Sequence, residues 1–365
     1  MGAYIIRRVL GAIPTLFVTS IIIYGILLAA PGGPEARFLA NPRITPEQIE
    51  AMRKRWGLDQ PVPIQYCRWL GVCNPDGEGI GIFLSESGLP NFLPTFLGGG
   101  DNGILHGDFG YSTASGEPVT TVIADRLLPT AILAGTALVV WIVLAFIMGV
   151  TAAVKRYSKT DTAITIFNYV GYSFPTFWLG LMLIIVFAGQ LHWLPAGGMW
   201  DPRNTPAFGT DEYWTFVREE PLNAIRDLGT HLILPVITLV VVNIAADSRF
   251  IRASMIDAMN RDYVRTARAK GVPENRVNRR HALRNALLPV ITNIGLELPL
   301  LFAGAVVTET IFSWPGMGRA FIEATGAFDY PVLMGILIVT AVIVVAANLL
   351  ADVIYGIADP RISYR

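Results

Sequence analysis

Charge is scarce in this chain. Of its 365 residues only 15% are charged, against roughly 25% in an ordinary soluble domain, while 53% are hydrophobic. A mean hydropathy of +0.49 agrees, and together these values exclude a soluble globular enzyme. Length alone suggests about two domains, but that expectation holds for water-soluble chains. Cysteine is scarcer still: Cys67 and Cys73 can make neither a disulfide framework nor a four-ligand zinc site. His106, His192, His231 and His281 lie far apart, none at i,i+4 spacing, and give a metal site no support. Lysine occurs four times and never follows glycine, so a Gly-x-x-x-x-Gly-Lys phosphate loop is missing. Any ATP this protein uses must be bound by another chain.

Long apolar runs are what the chain has in plenty. A bilayer span needs ~20 mostly apolar residues, because every backbone polar group must be bonded internally across the hydrocarbon. Val9–Ala30, Leu127–Val154, Thr162–Leu191 and Tyr330–Ala351 are uncharged and long enough. Leu232–Ala246 is shorter and is expected to continue as a helix through Asp247–Met259 into water. Ala286–Ile311 also qualifies but carries Glu297 and Glu309. Six spans are therefore expected. Arg7 and Arg8 before the first run imitate a secretory signal, yet the run is long for one and Ala29-Ala30-Pro31 is a poor cleavage site. A retained anchor is expected.

The formal net charge is zero, but the signs are segregated. The amino terminus carries +2, the Lys155–Asp161 connection +2 and the Asp247–Asn285 connection +6. The alternate connections, Pro31–Arg126, His192–Thr230 and Phe312–Asp329, sum to −4, −3 and −1. Short basic loops stay on the cytoplasmic side, which places both termini inside. In the long outer loop, Thr45-Pro46-Glu47-Gln48-Ile49 starts like a capped helix, and Val72–Gly110 is rich in Gly and Pro. Cys67 and Cys73 fall between these parts, in an oxidising compartment; a local disulfide and two half-buried thiols are both open.

The strongest local signal is Asp262-Tyr263-Val264-Arg265-Thr266-Ala267-Arg268-Ala269-Lys270-Gly271-Val272-Pro273. Its first ten residues suit a short helix, Gly271 suits a left-handed C-cap, and Pro273 forbids continuation. A second helical stretch runs from Glu274 to Asn285 into the next span. A juxtamembrane basic patch attracted to anionic lipid is the plain alternative, but a helix, a stop and a second helix make a structured lever.

This loop resembles the cytoplasmic "EAA" loop of ABC importer permeases, specifically the dipeptide/oligopeptide/nickel branch of the binding-protein-dependent transport inner-membrane component family. Ala267 and Gly271 keep the general pattern, while Arg265 and Thr266 stand where Glu and Ala would. The later Leu-Pro is displaced to Leu288-Pro289. Asp262–Gly271 and the run around His281-Ala282-Leu283-Arg284 are similar to the peptide subfamily. Tyr4-Ile5-Ile6-Arg7-Arg8, Gly57-Leu58-Asp59-Gln60-Pro61 and Gly107-Asp108-Phe109-Gly110 follow the same family in order. So do Phe174-Pro175-Thr176-Phe177-Trp178, Trp193-Leu194-Pro195-Ala196-Gly197-Gly198 and Glu309-Thr310-Ile311-Phe312-Ser313-Trp314-Pro315-Gly316. Only about 72–106 looks like an insertion.

The resemblance implies an all-α, six-span type I importer permease in the plasma (cytoplasmic) membrane of a prokaryote. The expected divisions are a first span at 1–30, an outer loop at 31–126, a five-helix core at 127–356 and a tail at 357–365. The core contains the coupling loop at 253–285. Implied partners are a second, homologous permease, two ATPase subunits, an extracytoplasmic binding protein and membrane lipid; nothing points to nucleic acid. The chain itself binds no cofactor, and ATP and Mg would sit on the ATPases. Tyr263, Val264 and Ala267 are expected to offer the ATPase an apolar contact. Arg265, Arg268 and Lys270 would pair with acidic groups or lipid phosphate, beside Asp262, and Gly271 permits the sharp exit.

Pro175, Pro235, Pro289 and Pro299 are candidates for bends that a gate would use, although membrane proline is often only a packing kink. Glu297 sits midway along a span, where a charge costs ~2.5–3.5 kcal/mol. It could line the pathway, hold a substrate ammonium, pair with an Arg of the second permease, or be protonated. Glu309 is expected to cap or pair near the outer gate, Asp247, Arg249 and Arg252 to form one charge network, and Asp352 to be interfacial. Peptide is the expected cargo, with nickel chelates and oligosaccharides as alternatives. A gradient-driven transporter would need paired intramembrane carboxylates and inverted repeats, and an intramembrane hydrolase would need clustered catalytic groups; neither pattern stands out.

Overall fold

The computed structural model describes residues 2–30, 39, 44–56, 58–72 and 103–358. Among them the chain is helical, with only an isolated bridge between Tyr111 and Pro118. The helices are α1 (Gly2–Ala29), α2 (Pro46–Trp56), α3 (Val62–Leu70) and α4 (Val119–Val154). Then come α5 (Lys159–Ser173), α6 (Thr176–Leu183), α7 (Asp211–Glu219) and α8 (Pro221–Met259). The rest are α9 (Asp262–Ala269), α10 (Glu274–Arg276), α11 (Leu283–Ile311), α12 (Met317–Gly326) and α13 (Tyr330–Ala358).

Among the described residues four helices are long and apolar enough to cross a membrane: α1, α4, α8 and α13, over Ile6–Ala29, Val119–Val154, Pro221–Met259 and Tyr330–Val353. The pair α5 and α6 makes a fifth if it counts as one span, but it is bent by 100°. Thr162–Leu191 is therefore not one straight rod. Phe174 lies in extended conformation (φ −83°, ψ 128°) because the ring of Pro175 disfavours helix in the residue before it. Pro175 then caps α6, its carbonyl accepting from Leu179 N at 3.0 Å, and a π-helical turn follows over Ile184–Gln190. The remaining expected span, α11, is one continuous helix of 29 residues. The 39-residue α8 runs through Met259 as expected and begins earlier, at Pro221, where proline suits a first helical position.

Two compact units emerge. The first comprises 1–12, 126–319 and 343–365; the second, 13–125 and 320–342. In the first, Leu133, Ala137 and Trp141 of α4 pack with Leu239, Val240 and Ile244 of α8 and with Trp314. A Cβ on Gly149 would lie 2.7 Å from both Ile251 Cβ and Ser248 O, so glycine allows α4 and α8 to approach. In the second, the Tyr24 ring of α1 packs edge-on against Tyr66 and tilted against Trp69 of α3, and Ser20 and Tyr66 share a hydroxyl hydrogen bond of 2.7 Å. The expected start of α2 is a reciprocal cap: Thr45 N donates to Gln48 Oε1 at 2.9 Å and Gln48 N to Thr45 Oγ1 at 3.4 Å.

Candidate functional site: the basic loop and the polar joints around it

The spacing of apolar residues in α9 gives the helix one buried stripe. Val264 and Ala267, three apart, are 0% and 6% exposed. They pack with Met255 and Ala258 of α8, with Val277 and Ala282, and with Ala153 and Ala286. Behind α9 the chain leaves as its residue types require. Gly271 takes φ +73°, its N–H donating to Arg268 O at 2.9 Å while Val272 N reaches Ala267 O at 3.2 Å. Pro273 restarts the helix, and α10 passes through a π-helical turn, Val277–Ala282, into α11. The helix–Gly–helix pattern is thus present, with α9 ending two residues before Gly271.

One expectation is corrected. Val264 and Ala267 do not offer an apolar surface outward; their burial against α8 and α11 anchors the lever to its own chain. What remains outside is Tyr263, 40% exposed, with the exposed Asp262, Arg265 and Lys270. Arg265 lies 3.6 Å from Asp262. Arg268 turns back across the Gly271 corner to Glu274, Nη2 to Oε1 at 2.7 Å. That hydrogen bond holds Glu274 below the usual carboxylate range and raises Arg268 further.

The other predicted residues fall at separate places in the first unit. Glu309 is fully buried. Its Oε1 accepts from the Thr130 hydroxyl at 2.7 Å and its Oε2 from Arg319 N at 3.1 Å, which caps the first turn of α12. Thr130 Oγ1 in turn accepts from Met317 N at 2.8 Å, and Trp314 Nε1 donates to Pro129 O at 2.9 Å. A side chain on Gly316 would collide with the Glu309 carboxylate, so the Trp314-Pro315-Gly316 turn is built around this acid. Pro235 is buried inside α8 and Pro175 marks the α5–α6 bend. Glu297 and Pro299 belong to α11, but their side chains lie outside the described residues.

Of the expected charge network, Arg249 and Arg252 both reach α5, whereas Asp247 reaches α11. Arg252 makes a bidentate pair with Asp161, Nε and Nη2 each at 2.8 Å. Arg249 donates to Ala245 O at 2.8 Å and lies over the rings of Tyr169 and Tyr172, 5.4 Å from each centroid. Asp247 Oδ1 accepts from Asn293 of α11 at 2.9 Å. The reason is helical spacing: Arg249 and Arg252, three apart, share the face of α8 that meets α5, while Asp247 lies toward α11. By sequence Asp161 is one of the loop's charges; its position three residues after Ser158, whose hydroxyl caps its amide at 3.3 Å, is the signal for its place at the helix start. Asn168 with Ser248, 2.6 Å apart, left no sequence signal. Asp352 pairs with Arg8 at 3.1 Å. In the second unit Cys67 is buried and disulfide-bonded; Cys73 lies outside the described residues. Among the described residues no group of three or more His, Cys, Asp or Glu could hold a metal.

Long apolar helices joined by a basic helix–Gly–helix loop define a multi-pass membrane protein. The family described as the binding-protein-dependent transport system inner membrane component matches residues 142–364, and the model for the N-terminal part of that membrane component matches residues 1–77. The chain is 38% identical, over 100% of both chains, to the oligopeptide transport system permease protein AppB of Bacillus subtilis (strain 168). It is 34% identical, over 99% of both, to the glutathione transport system permease protein GsiC of Escherichia coli (strain K12). A solved structure titled as inward-facing conformations of the MetNI methionine ABC transporter is similar with a TM-score of 0.51 at 13% identity, over 67% of this chain and 99% of the other; this bears on the fold alone. The chain belongs to the binding-protein-dependent transport system inner membrane component family.

Proposed function

We propose that this chain is the membrane-spanning permease subunit of an ATP-driven importer of di- or oligopeptides. It has six spans with both termini in the cytoplasm of a prokaryote, and it pairs with a second, homologous permease. Two ATPase subunits carry ATP and Mg, an extracytoplasmic binding protein delivers the peptide, and this chain performs no covalent chemistry. The peptide reading draws on relatives named for oligopeptide and glutathione transport. The positive loops, by their charge, support the orientation. Glu297, Pro299, Pro175 and Pro235 are assigned to the pathway or its bends, and the disulfide of Cys67 is assigned to Cys73.

The observation that carries the coupling role is the placement of α9: its inner face is locked by Val264 and Ala267 while Tyr263, Arg265 and Lys270 face out. A docked ATPase would push on Tyr263, and the push would pass through the buried pair to α8 and α11. The test is to tag the chain, extract it gently from its own membranes and identify the co-purifying chains by mass spectrometry, alongside Gly271→Trp. A non-glycine residue in the left-handed region costs about 1–2 kcal/mol, so the variant distorts the exit from α9. Recovery of a second permease and an ATPase, with the ATPase lost in the variant, supports the reading. A stable preparation with no ATPase under any condition points to a gradient-driven transporter. Uptake of labelled peptides by the recovered complex, against nickel chelates and oligosaccharides, decides the cargo.

A further inference from the structure

A cavity of about 700 Å³ lies in the second unit, at the end of α1 and the start of α13. Tyr24 of α1, Trp69 of α3, Tyr111 and Tyr330 line its wall. Leu27 and Leu28 extend it along the last turn of α1 and Met334 along the first turns of α13. Gln65, Ser112 and Thr113 add polar groups to the wall, and two opposite charges enter it, Arg68 and Asp108, both half-buried. The Arg68 guanidinium has no hydrogen-bond or ion-pair partner among the described residues. Among the described residues Asp108 Oδ1 accepts only from Gly110 N of its own turn, at 2.8 Å.

A half-buried guanidinium with no hydrogen-bond partner is costly, and its planar fork suits a phosphate or carboxylate. A half-buried carboxylate with acceptor capacity to spare suits an N–H donor. A zwitterion with an apolar extension would satisfy both groups. Tyr and Trp at the ends of long apolar helices mark the membrane–water interface, and the extension runs along two such helices. A lipid satisfies both ends of this chemistry, whereas a free peptide has no need of a groove lying along membrane spans.

We infer that the cavity holds a phospholipid whose headgroup bears a primary ammonium, from the leaflet at this end of α1. Its phosphate meets Arg68, its ammonium donates to Asp108, and an acyl chain follows Leu27, Leu28 and Met334. The inference rests on α1 and α13 spanning the membrane and is independent of the cargo. Ligand selection follows from the two charges: a quaternary ammonium cannot donate to Asp108, and a glycerol headgroup brings no cation.

The test is native mass spectrometry of the full chain in detergent with phosphatidylethanolamine, phosphatidylcholine or phosphatidylglycerol added in turn. Phosphatidylethanolamine should be retained about tenfold more than the other two, as one charge-assisted hydrogen bond implies. Arg68→Gln should lower retention of all three and Arg68→Lys should restore most of it. Asp108→Asn keeps the acceptor for Gly110 N and should erase the preference over phosphatidylcholine. Leu28→Trp should fill the cavity and expel lipid without touching either charge. Equal retention of the three lipids, no effect of Arg68→Gln or Leu28→Trp at unchanged melting temperature, or displacement of phosphatidylethanolamine by a dipeptide overturns the inference. ATPase co-recovery is read from the same preparation. Its loss counts against the importer reading and leaves the lipid result standing; its presence without lipid selectivity sinks the lipid site alone.

Discussion

Asp161 and Arg252 show how one residue's chemistry depends on another 91 positions away. Asp161 is 7% exposed in its side chain and Arg252 30%, so neither charge is well solvated. Removing the guanidinium leaves the carboxylate with the Tyr157 amide, 2.9 Å from Oδ2. Breaking a buried pair from one side costs about 3–5 kcal/mol, and the partial exposure of Arg252 brings the expected loss for Arg252→Ala down to about 2 kcal/mol. Thermal unfolding in detergent should show it, with Arg252→Lys intermediate because the fork is lost but the charge kept. Asp161→Asn added to Arg252→Ala should recover part of the loss; a double variant no more stable than the single would rule out charge burial as the cause. The Arg268–Glu274 pair is more exposed, 39% and 57%, and so is worth under about 1 kcal/mol. Glu274 is held below its ordinary value of 4.5 by Arg268. Its contribution is therefore present above that value and disappears as pH falls through the depressed one. Hydrogen exchange of 271–277 should be slower in wild type than in Glu274→Gln at neutral pH, and the two should converge in acid well below pH 4.5.

At the scale of helices, close approach decides the sign of a substitution. Gly149 and Gly135 share α4, yet a Cβ on Gly149 would sit 2.7 Å from Ile251 Cβ and Ser248 O, while one on Gly135 would meet nothing within 4 Å. Alanine in a helix interior is favoured over glycine by roughly 0.5–1 kcal/mol, and overpacking costs about 1–3 kcal/mol. Gly135→Ala should therefore raise the melting temperature and Gly149→Ala lower it. Equal shifts in both would mean that propensity, not the α4–α8 contact, governs. Features set by neighbouring residues were readable in advance: the Thr45–Gln48 cap, the Gly271 corner, the restart at Pro273 and the run of α8 to Met259. Pro175 announced an interruption but not its 100° angle, which depends on where α5 and α6 find partners. The family resemblance likewise grouped Tyr263, Val264 and Ala267 as one apolar contact. Nothing local says whether such a face meets its own chain or another, and the separate partners of Asp247, Arg249 and Arg252 depend on contacts far away in sequence.

For the molecule as a whole, the inward turn of Val264 and Ala267 separates two properties that a loop of this kind could have merged. If α9 met the ATPase through all of its apolar residues, folding and coupling would fail together in every variant. Because Val264 is 0% exposed and Tyr263 is 40% exposed, the two can be dissected. Val264→Ala removes fully buried apolar area and should cost about 2 kcal/mol, read as a lower melting temperature of the isolated chain. Tyr263→Ala with Arg265→Glu alters only exposed groups, and surface changes of that kind usually stay within about 0.5 kcal/mol. The same double variant should nevertheless reduce ATPase recovery and abolish transport-linked ATP hydrolysis in the reconstituted complex, since it reverses charge at the proposed contact. The two variants should therefore move different readouts. If the exposed pair lowered the melting temperature as much as Val264→Ala and left ATPase recovery intact, α9 would be a structural clamp. The contact through which ATP drives this permease would then have to lie elsewhere on its basic surface.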